Sequence, residues 1–157
     1  MKIIDYKIIK LDPKNFKKCS NIWDMKRHAD LAEKFYGELL TGNRVTYVFQ
    51  VKDKYIGEIS LVFDMNDLDY TIKKQRIYVS RLLVKPEYRR KGIGRKLVEF
   101  AVESAKKMGY SEMSIGVDLD NYAALKLYFE AGFNHIIYVG EDENGKYTKL
   151  LKKLTDI

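Results

Sequence analysis

The length, composition and charge of the chain indicate one globular domain and exclude several kinds of site. Its 157 residues and 18.4 kDa are enough to bury about two thirds of the unfolded surface, so no disulfide or metal is needed for stability. A single cysteine, Cys19, excludes an internal disulfide and any site built from several cysteines. The net charge of +7 favours an anionic partner such as nucleic acid, a phosphorylated cofactor or a membrane surface.

The apolar segments of the chain are too short and too often interrupted for export or membrane insertion. Charged residues break up the opening sequence MKIIDYKIIK, and no later run approaches the roughly 20 apolar residues of a membrane span. We therefore expect a cytoplasmic protein in a reducing compartment, without a membrane partner.

The first half of the chain predicts a strand, two helices, a hairpin and a further strand. The pair Gly42-Asn43 closes the second helix, and Asp53-Lys54 separates two runs rich in β-branched and aromatic residues. The predicted elements are a strand from Lys2 to Leu11, helices from Asn15 to Arg27 and Ala29 to Leu40, and strands from Arg44 to Lys52, Tyr55 to Phe63 and Gln75 to Lys85.

The second half alternates between helices and strands. Its clearest helix runs from Gly92 to Met108, with one apolar stripe formed by Ile93, Leu97, Ala101, Ala105 and Met108. Gly109 is expected to end this helix because it tolerates positive φ. The remaining elements are a strand from Ser111 to Val117, a helix from Asn121 to Glu130, and a hairpin from His135 to Val139 and Tyr147 to Leu154. This order favours an α/β fold with a mixed sheet and helices packed on it.

The segment RLLVKPEYRRKGIGRKL, residues 81 to 97, predicts a binding site for a diphosphate. A strand leads into a basic loop, two glycines and then a helix. The first N–H groups of a helix lack partners within it and carry partial positive charge, and glycine lets an oxyanion approach the backbone. Formal positive charge comes from Arg89, Arg90, Lys91 and Arg95. A Walker loop is excluded by its spacing, and a dinucleotide fingerprint would need a glycine in place of Leu97.

Two linked motifs resemble the GNAT superfamily of acyl-CoA-dependent N-acyltransferases. Residues 89 to 94, RRKGIG, match the family motif [QR]-x-x-G-x-[GA]. A second motif, N-x-x-A-x-x-L-Y-x-x-x-G-F, is matched by Asn121, Ala124, Leu127, Tyr128, Gly132 and Phe133. The resemblance covers about residues 45 to 135 and implies a mixed, mostly antiparallel central sheet flanked by helices.

The resemblance also implies a site for acetyl-CoA as acyl donor. Main-chain groups of Leu82, Leu83 and Val84 are expected to pair with the pantetheine arm. Asn121 is expected to hydrogen-bond the coenzyme, and Tyr128 to face the thioester sulfur and donate the final proton. The diphosphate is expected to bind the main-chain amides from Arg90 to Arg95, which include those of Lys91, Gly92, Ile93 and Gly94.

The general base is not evident from the sequence. Many relatives carry a glutamate at the position of Tyr78 or of Gly116, and this chain has a carboxylate at neither. Glu58 and Asp118 remain on or beside core strands. Either could act through water, but hydration at the surface is the simpler interpretation of both, so we name no base.

Other chemistry-bearing residues are open to two interpretations. The histidines His28 and His135 lack ligand spacing, so we expect no metal site. The aromatic residues Trp23, Phe35 and Tyr36 either line an acceptor groove or pack in the core. The carboxylates Asp64, Asp67 and Asp69 are either hydrated or attract a cationic acceptor.

The sequence therefore predicts acetyl transfer from acetyl-CoA to a small, cationic primary amine by direct attack in a ternary complex. Acetylation of a protein N-terminus or lysine, and a catalytically idle acyl-CoA-binding module, are the alternatives. We expect no nucleic-acid partner, because diphosphate binding already accounts for the basic cluster. Pairing at the C-terminal hairpin would support a homodimer.

Overall fold

The structure, a computed structural model, describes residues 5–154. The strands are β1 (Lys7–Lys10), β2 (Arg44–Val51), β3 (Lys54–Val62), β4 (Arg76–Val84), β5 (Glu112–Asp118), β6 (His135–Asp142) and β7 (Gly145–Lys153). The α-helices are α1 (Ala29–Thr41), α2 (Ile93–Lys107) and α3 (Tyr122–Glu130), and two 3₁₀ segments cover Pro13–Asn21 and Pro86–Tyr88. Within the described range, no helix has the length and hydropathy of a membrane span.

The described strands form a seven-stranded mixed sheet in the order β1-β2-β3-β4-β5-β7-β6. Strand β4 pairs in parallel with β5, with Ile77 opposite Met113. Antiparallel pairing joins β1 to β2, β5 to β7 and β6 to β7. The predicted mixed, helix-flanked sheet is confirmed. Residues 2–4 of the predicted first strand lie outside the described residues.

The chain divides into two compact units, although β3, β4 and α2 run continuously from one unit to the other. The first unit extends up to Leu61 and includes Ser80–Ala101, and its buried cluster contains Leu11, Cys19, Leu39, Val48 and Tyr55. The second unit comprises Val62–Val79 and the chain from Val102 onward, where Met113, Phe133 and Leu150 are fully buried.

The first predicted helix is wrong in type and length. Asp12 starts a 3₁₀ segment by accepting a hydrogen bond from the Lys14 amide, and this segment ends at Asn21. Beyond it, the Asp24 carboxylate accepts bonds from the amides of Lys26 and Arg27. These local bonds stabilise a turn and compete with an α-helix.

Helix α2 agrees with the predicted apolar stripe except at its end. The predicted residues from Ile93 to Ala105 are at most 2% exposed, whereas Met108 is 42% exposed and lies beyond the helix. Gly109 ends α2 at φ 91°. The bond from the Tyr110 amide to the Ala105 carbonyl completes the left-handed cap, so the chain turns away before Met108 can join the buried face.

Gly57 allows α2 to approach β3 closely. A Cβ at this position would lie 3.3 Å from Ile93 Cγ2, from Leu97 Cδ1 and from the Leu83 carbonyl oxygen. The first turn of α2 therefore lies directly over β3, beside the end of β4. Gly37 in α1 is different, because a Cβ there would have no atom within 4 Å.

We expect Gly57→Val to lower the free energy of unfolding by about 1–3 kcal/mol, because the added carbons must displace α2 or the β4 backbone. Chemical denaturation followed by circular dichroism would measure the change. The matched control, Gly37→Ala, fills open space within a helix and should raise the stability by about 0.5–1 kcal/mol. An unchanged midpoint for Gly57→Val would contradict the close approach.

Candidate functional site

The loop between β4 and α2 has the backbone geometry of a site for an anion. After the 3₁₀ segment Pro86–Tyr88, Arg90 adopts φ 63° and Gly92 adopts φ 81°. These two left-handed residues turn the chain sharply into α2. A Cβ at Gly92 would meet no atom within 4 Å, so the loop surface beside it is open.

The start of α2 follows the basic loop directly and brings the first backbone amides of the helix beside it. The Lys96 amide bonds the Gly92 carbonyl at 3.1 Å, so the amides of Ile93, Gly94 and Arg95 precede the first bond of this ladder. These groups carry the partial positive charge of a helix N-terminus. Arg89 and Arg90 are exposed beside them, and Arg89 Nε donates to the Val84 carbonyl at 3.1 Å. The loop is thereby tied to the end of β4.

The segment Leu82–Val84, predicted to pair with a pantetheine arm, is half-buried at the end of β4. The residue before it, Arg81, has φ 70°, which is strained for a side chain of this size. Just beyond it, the Lys85 amide bonds the Ile56 carbonyl at 2.8 Å and holds this end of β4 beside β3. The strained residue Arg81 therefore directly precedes Leu82–Val84, which we call the predicted coenzyme strand.

Glu58 corrects the sequence interpretation, because it is not a hydrated surface residue. It lies on β3, is 5% exposed and belongs to the same compact unit as the loop. Desolvation raises its pKa to about 7, while Arg81, the Trp23 indole and Arg44 act in the opposite direction. The other candidate acid, Asp118, is exposed. The sequence does contain a signal for this burial, because Glu58 is the one acidic residue within the largely apolar sequence of β3.

Several polar atoms around Glu58 are buried without hydrogen-bond partners. They are Glu58 Oε1, Arg81 Nε and Trp23 Nε1. The Arg81 guanidinium lies 4.2 Å from the centre of the Trp23 ring and 5.4 Å from that of Phe35. Trp23 and Phe35 thus pack against a charged cluster, whereas Tyr36 is 40% exposed.

Tyr128 lies in the second compact unit, on α3, and is 7% exposed. Desolvation by burial, with a smaller effect of Tyr78, raises its pKa to about 12. Its ring packs edge-on against Phe133 with the centroids 6.0 Å apart. The hydroxyl consequently stays protonated at neutral pH and remains a hydrogen-bond donor.

Aromatic packing occupies Tyr78 and Gly116, the two positions where the family resemblance implied a glutamate. A Cβ at Gly116 would lie 2.5 Å from the Tyr70 hydroxyl oxygen, so Tyr70 fills that space. The Tyr70 and Tyr78 rings lie 4.5 Å apart. Burial also raises the pKa of Tyr70. A carboxylate at either position would replace this packing.

Asn121 has a local structural role that does not exclude the predicted one. Its side-chain oxygen accepts a bond from the Ala124 amide at 3.2 Å and caps α3. Because an amide side chain has separate donor and acceptor atoms, it can cap the helix and still donate to a ligand.

Asp64, Asp67 and Asp69 lie in the segment between β3 and β4, which we call the acidic loop. Lys149 forms ion pairs with two of these three carboxylates. Its Nζ lies 3.1 Å from Asp67 Oδ2 and 3.0 Å from Asp69 Oδ2. Burial lowers the pKa of Lys149, but the bonds to the two aspartates outweigh it and raise the pKa overall. The Asp67 pKa is lowered, first by the Asp69 amide. These carboxylates therefore form part of an internal ion-pair network.

Across the described residues, no group of three or more His, Cys, Asp or Glu side chains is arranged to hold a metal ion. The histidines predicted not to be ligands, His28 and His135, are both exposed. Cys19 is buried, and desolvation raises the pKa of its thiol, with a smaller effect of Glu58.

Known proteins resemble this chain in sequence and in fold. It is 29% identical over 106 residues to N-acetyltransferase family 8 member 3 of Rattus norvegicus, covering 68% of this chain and 45% of that protein. An aminoglycoside 6'-acetyltransferase type Ii has the same fold, with a TM-score of 0.79, 18% identity and coverage of 96% and 99%. The ribosomal-protein-S18-alanine N-acetyltransferase of Escherichia coli gives a TM-score of 0.75, 17% identity and coverage of 98% and 96%.

A further solved structure contains the coenzyme expected for this chain. It is an aminoglycoside 6'-N-acetyltransferase complexed with coenzyme A, with a TM-score of 0.75, 14% identity and coverage of 96% of this chain and 98% of that one. The sequence profile of the Acetyltransferase (GNAT) family matches residues 8–133. The chain spans less than half the length of the rat relative. Because the profile covers most of the chain, including the loop and α3, this protein belongs to the acetyltransferase (GNAT) family.

Proposed function

We propose that the chain is an N-acetyltransferase that transfers the acetyl group of acetyl-CoA to a primary amine. The observation that carries this proposal is the open, basic loop that joins β4 to the start of α2. Family membership supports the same reaction. Acetyl-CoA is the acyl donor and is consumed in the reaction as a substrate.

The loop fits the diphosphate of coenzyme A. The amides from Arg90 to Arg95 would donate to its oxygens, and the exposed Arg89 and Arg90 would add charge. The half-buried backbone of Leu82–Val84 would pair with the pantetheine arm as an added strand does. Asn121 would donate to the same arm.

Direct attack of the amine on the thioester is favoured over a covalent enzyme intermediate. The lone thiol, Cys19, is 1% exposed and its pKa is raised by desolvation, so it is a poor nucleophile. A backbone N–H near Val84 would polarise the acetyl carbonyl. Tyr128 would hydrogen-bond the leaving sulfur. Complete proton transfer from a hydroxyl of pKa about 12 to a thiolate is uphill, so the donated bond carries much of the effect.

A small cationic amine is the acceptor that we favour. The buried carboxylate of Glu58 supplies a negative charge close to the predicted coenzyme strand. Solved structures of the same fold include enzymes named for aminoglycosides. The fold is also shared by an enzyme named for the alanine of ribosomal protein S18, so a protein N-terminus or lysine is the alternative acceptor.

A homodimer through β6 is the assembly that we favour. This strand lies at the edge of the sheet and exposes three large apolar side chains, Ile136, Tyr138 and Val139, by 46% or more. An exposed apolar edge strand is suited to pairing with a second copy.

The reaction is tested with a panel of polyamines, aminoglycosides, amino-acid derivatives and peptide N-termini, with free-thiol release from acetyl-CoA as the readout. We expect release with at least one small cationic amine and identification of its N-acetyl product by mass spectrometry. Thiol release with none of the amines, together with normal coenzyme A binding, would instead identify an idle acyl-CoA-binding module.

Gly94→Asp should weaken coenzyme A binding at least tenfold, because it places a negative charge among the amides proposed to hold the diphosphate. The fold should survive, since aspartate is favourable in the first turn of a helix. Isothermal titration calorimetry measures the affinity. Gly94→Ala adds a Cβ without charge and should weaken binding less, and equal affinities for all three proteins would remove the assignment.

Tyr128→Phe should lower kcat by about 10²–10⁴-fold while coenzyme A affinity stays within about twofold, because the ring is kept and only the hydroxyl is lost. The matched control is Tyr122→Phe on the same helix, where the side chain is 78% exposed. Steady-state kinetics at saturating substrates would measure both. If Tyr128→Phe behaves like the control, the buried tyrosine only packs.

A further inference from the structure

Glu58 is a buried carboxylate beside the predicted coenzyme strand. It directly follows Gly57, where an added Cβ would touch side chains of α2 and the Leu83 carbonyl. Two residues after Glu58, the Ser60 hydroxyl is hydrogen-bonded to the Thr46 hydroxyl. The bond between the Lys85 amide and the Ile56 carbonyl fixes this part of β3 against the end of β4. Glu58 is therefore held close to the segment proposed to bind the pantetheine arm.

Charged and polar groups from four other segments of the same compact unit surround the carboxyl. Arg81 comes from β4, Arg44 from β2, Trp23 from the turn before α1 and Cys19 from the 3₁₀ segment. The Arg44 side chain is already held by Glu38 Oε1 at 3.2 Å and by Ser80 Oγ at 3.0 Å. The guanidinium of Arg81 stacks on Trp23.

The pattern of hydrogen bonds is not that of a simple structural ion pair. In such a pair the guanidinium donors would saturate the carboxylate, yet Glu58 Oε1 and Arg81 Nε are both buried without partners. The Trp23 indole N–H lowers the Glu58 pKa without completing a well-directed bond. Unsatisfied donors and an acceptor in one place can be satisfied by a molecule that donates and accepts, such as water or an amine.

We propose that Glu58 is the general base of this enzyme and receives a proton from the acceptor ammonium, directly or through one water. This inference rests on the proposed acetyltransferase function. The neutral amine then attacks the thioester carbonyl carbon, a C–N bond forms and the C–S bond breaks with its electron pair on sulfur. The nitrogen loses two protons in the reaction. Glu58 accepts one of them and passes it to solvent. The loss of the second is balanced by the proton that the leaving thiolate gains when it becomes a thiol.

The environment of Glu58 suits this role. Burial brings its pKa to about 7, so near neutral pH it is both partly ionised and basic enough to accept a proton. Arg81 opposes the effect of burial and acts as a positioning residue. The pH dependence has a definite sign, because the active form is the carboxylate and kcat/KM rises as the pH increases through about 7.

The test is the pH profile of kcat/KM for two primary amines from the panel whose own pKa values differ by about two units. We expect the profile for each amine to have two limbs. One limb lies near pH 7 and is common to both amines, and the other shifts with the pKa of the amine. In Glu58→Gln the common limb should vanish and kcat/KM at about pH 8 should fall by about 10²–10⁴-fold. Coenzyme A affinity, measured by calorimetry, should stay within about twofold.

Two further variants separate the base from general disturbance of the core. Ser60→Ala removes a buried polar group two residues along the same strand and should retain the common limb. Arg81→Met removes a charge that lowers the Glu58 pKa, so the common limb should move to higher pH. A merely structural Arg81 would reduce the rate without moving the limb.

Folding stability provides a readout that needs no acceptor. Because the Glu58 pKa is higher in the folded than in the unfolded chain, its contribution to stability is complete below about pH 4 and lost as the pH rises through about 7. The stability of the wild type relative to Glu58→Gln should therefore fall between about pH 5 and pH 8. A constant difference would contradict titration of Glu58 in this range.

The outcomes distinguish failure of the inference from failure of the proposed function. If the wild type releases thiol and Glu58→Gln keeps both its rate and the common limb, Glu58 is not the base but the enzyme assignment stands. If the wild type acetylates no amine, the function is wrong and the role of Glu58 falls with it.

Discussion

The close approach of α2 to β3 at Gly57 is the constraint on which the candidate coenzyme site depends. Ile93 is 2% exposed and Leu97 is fully buried, and both lie over the one residue of β3 that has no side chain. The packing of Ile93 and Leu97 fixes the position of the first amides of α2. The bond from Arg89 to the Val84 carbonyl then ties the intervening loop to β4. Apolar packing thereby positions the polar site.

The residue after Gly57 on β3, Glu58, places a charged group in the core of the same unit. Charged groups avoid an apolar core unless they are paired or functional, because desolvation opposes ionisation. Arg44 meets this requirement through Glu38 and Ser80. Glu58 and Arg81 are only partly paired, because Glu58 Oε1 and Arg81 Nε are buried without a hydrogen-bond partner. The strained φ of Arg81 lies beside them, which is the combination of strain and incomplete satisfaction found at many functional sites.

The second unit contains a different balance of burial and charge. The Tyr70 and Tyr78 rings pack at a tilt, and Tyr70 fills the space above Gly116, so aromatic rings occupy the two positions where the family resemblance implied a carboxylate. Lys149 is bonded by Asp67 and Asp69, which turns much of an acidic loop into an internal network. The ion pairs offset part of the negative charge of this loop, and the tyrosine rings occupy the space beside Gly116.

The sequence by itself determined the features that depend on residues close together in the chain. The basic loop before α2, the apolar stripe of that helix and the glycine that ends it are local patterns, because helix periodicity and positive φ are properties of short segments. The Asn121 and Tyr128 motif is local for the same reason. The 3₁₀ segment after Asp12 was missed because side-chain bonds to nearby amides compete with an α-helix without changing the apolar pattern.

Only the tertiary structure decided the environment of Glu58 and of the acidic loop. The burial of Glu58 depends on Trp23, Arg44 and Arg81, which come from separate segments and meet only when the strands pair. Asp67 and Asp69 meet Lys149 across about 80 residues of chain. Desolvation and ion pairing depend on three-dimensional distance, so a carboxylate that the sequence predicts to be hydrated can be buried in the core or held in an ion pair.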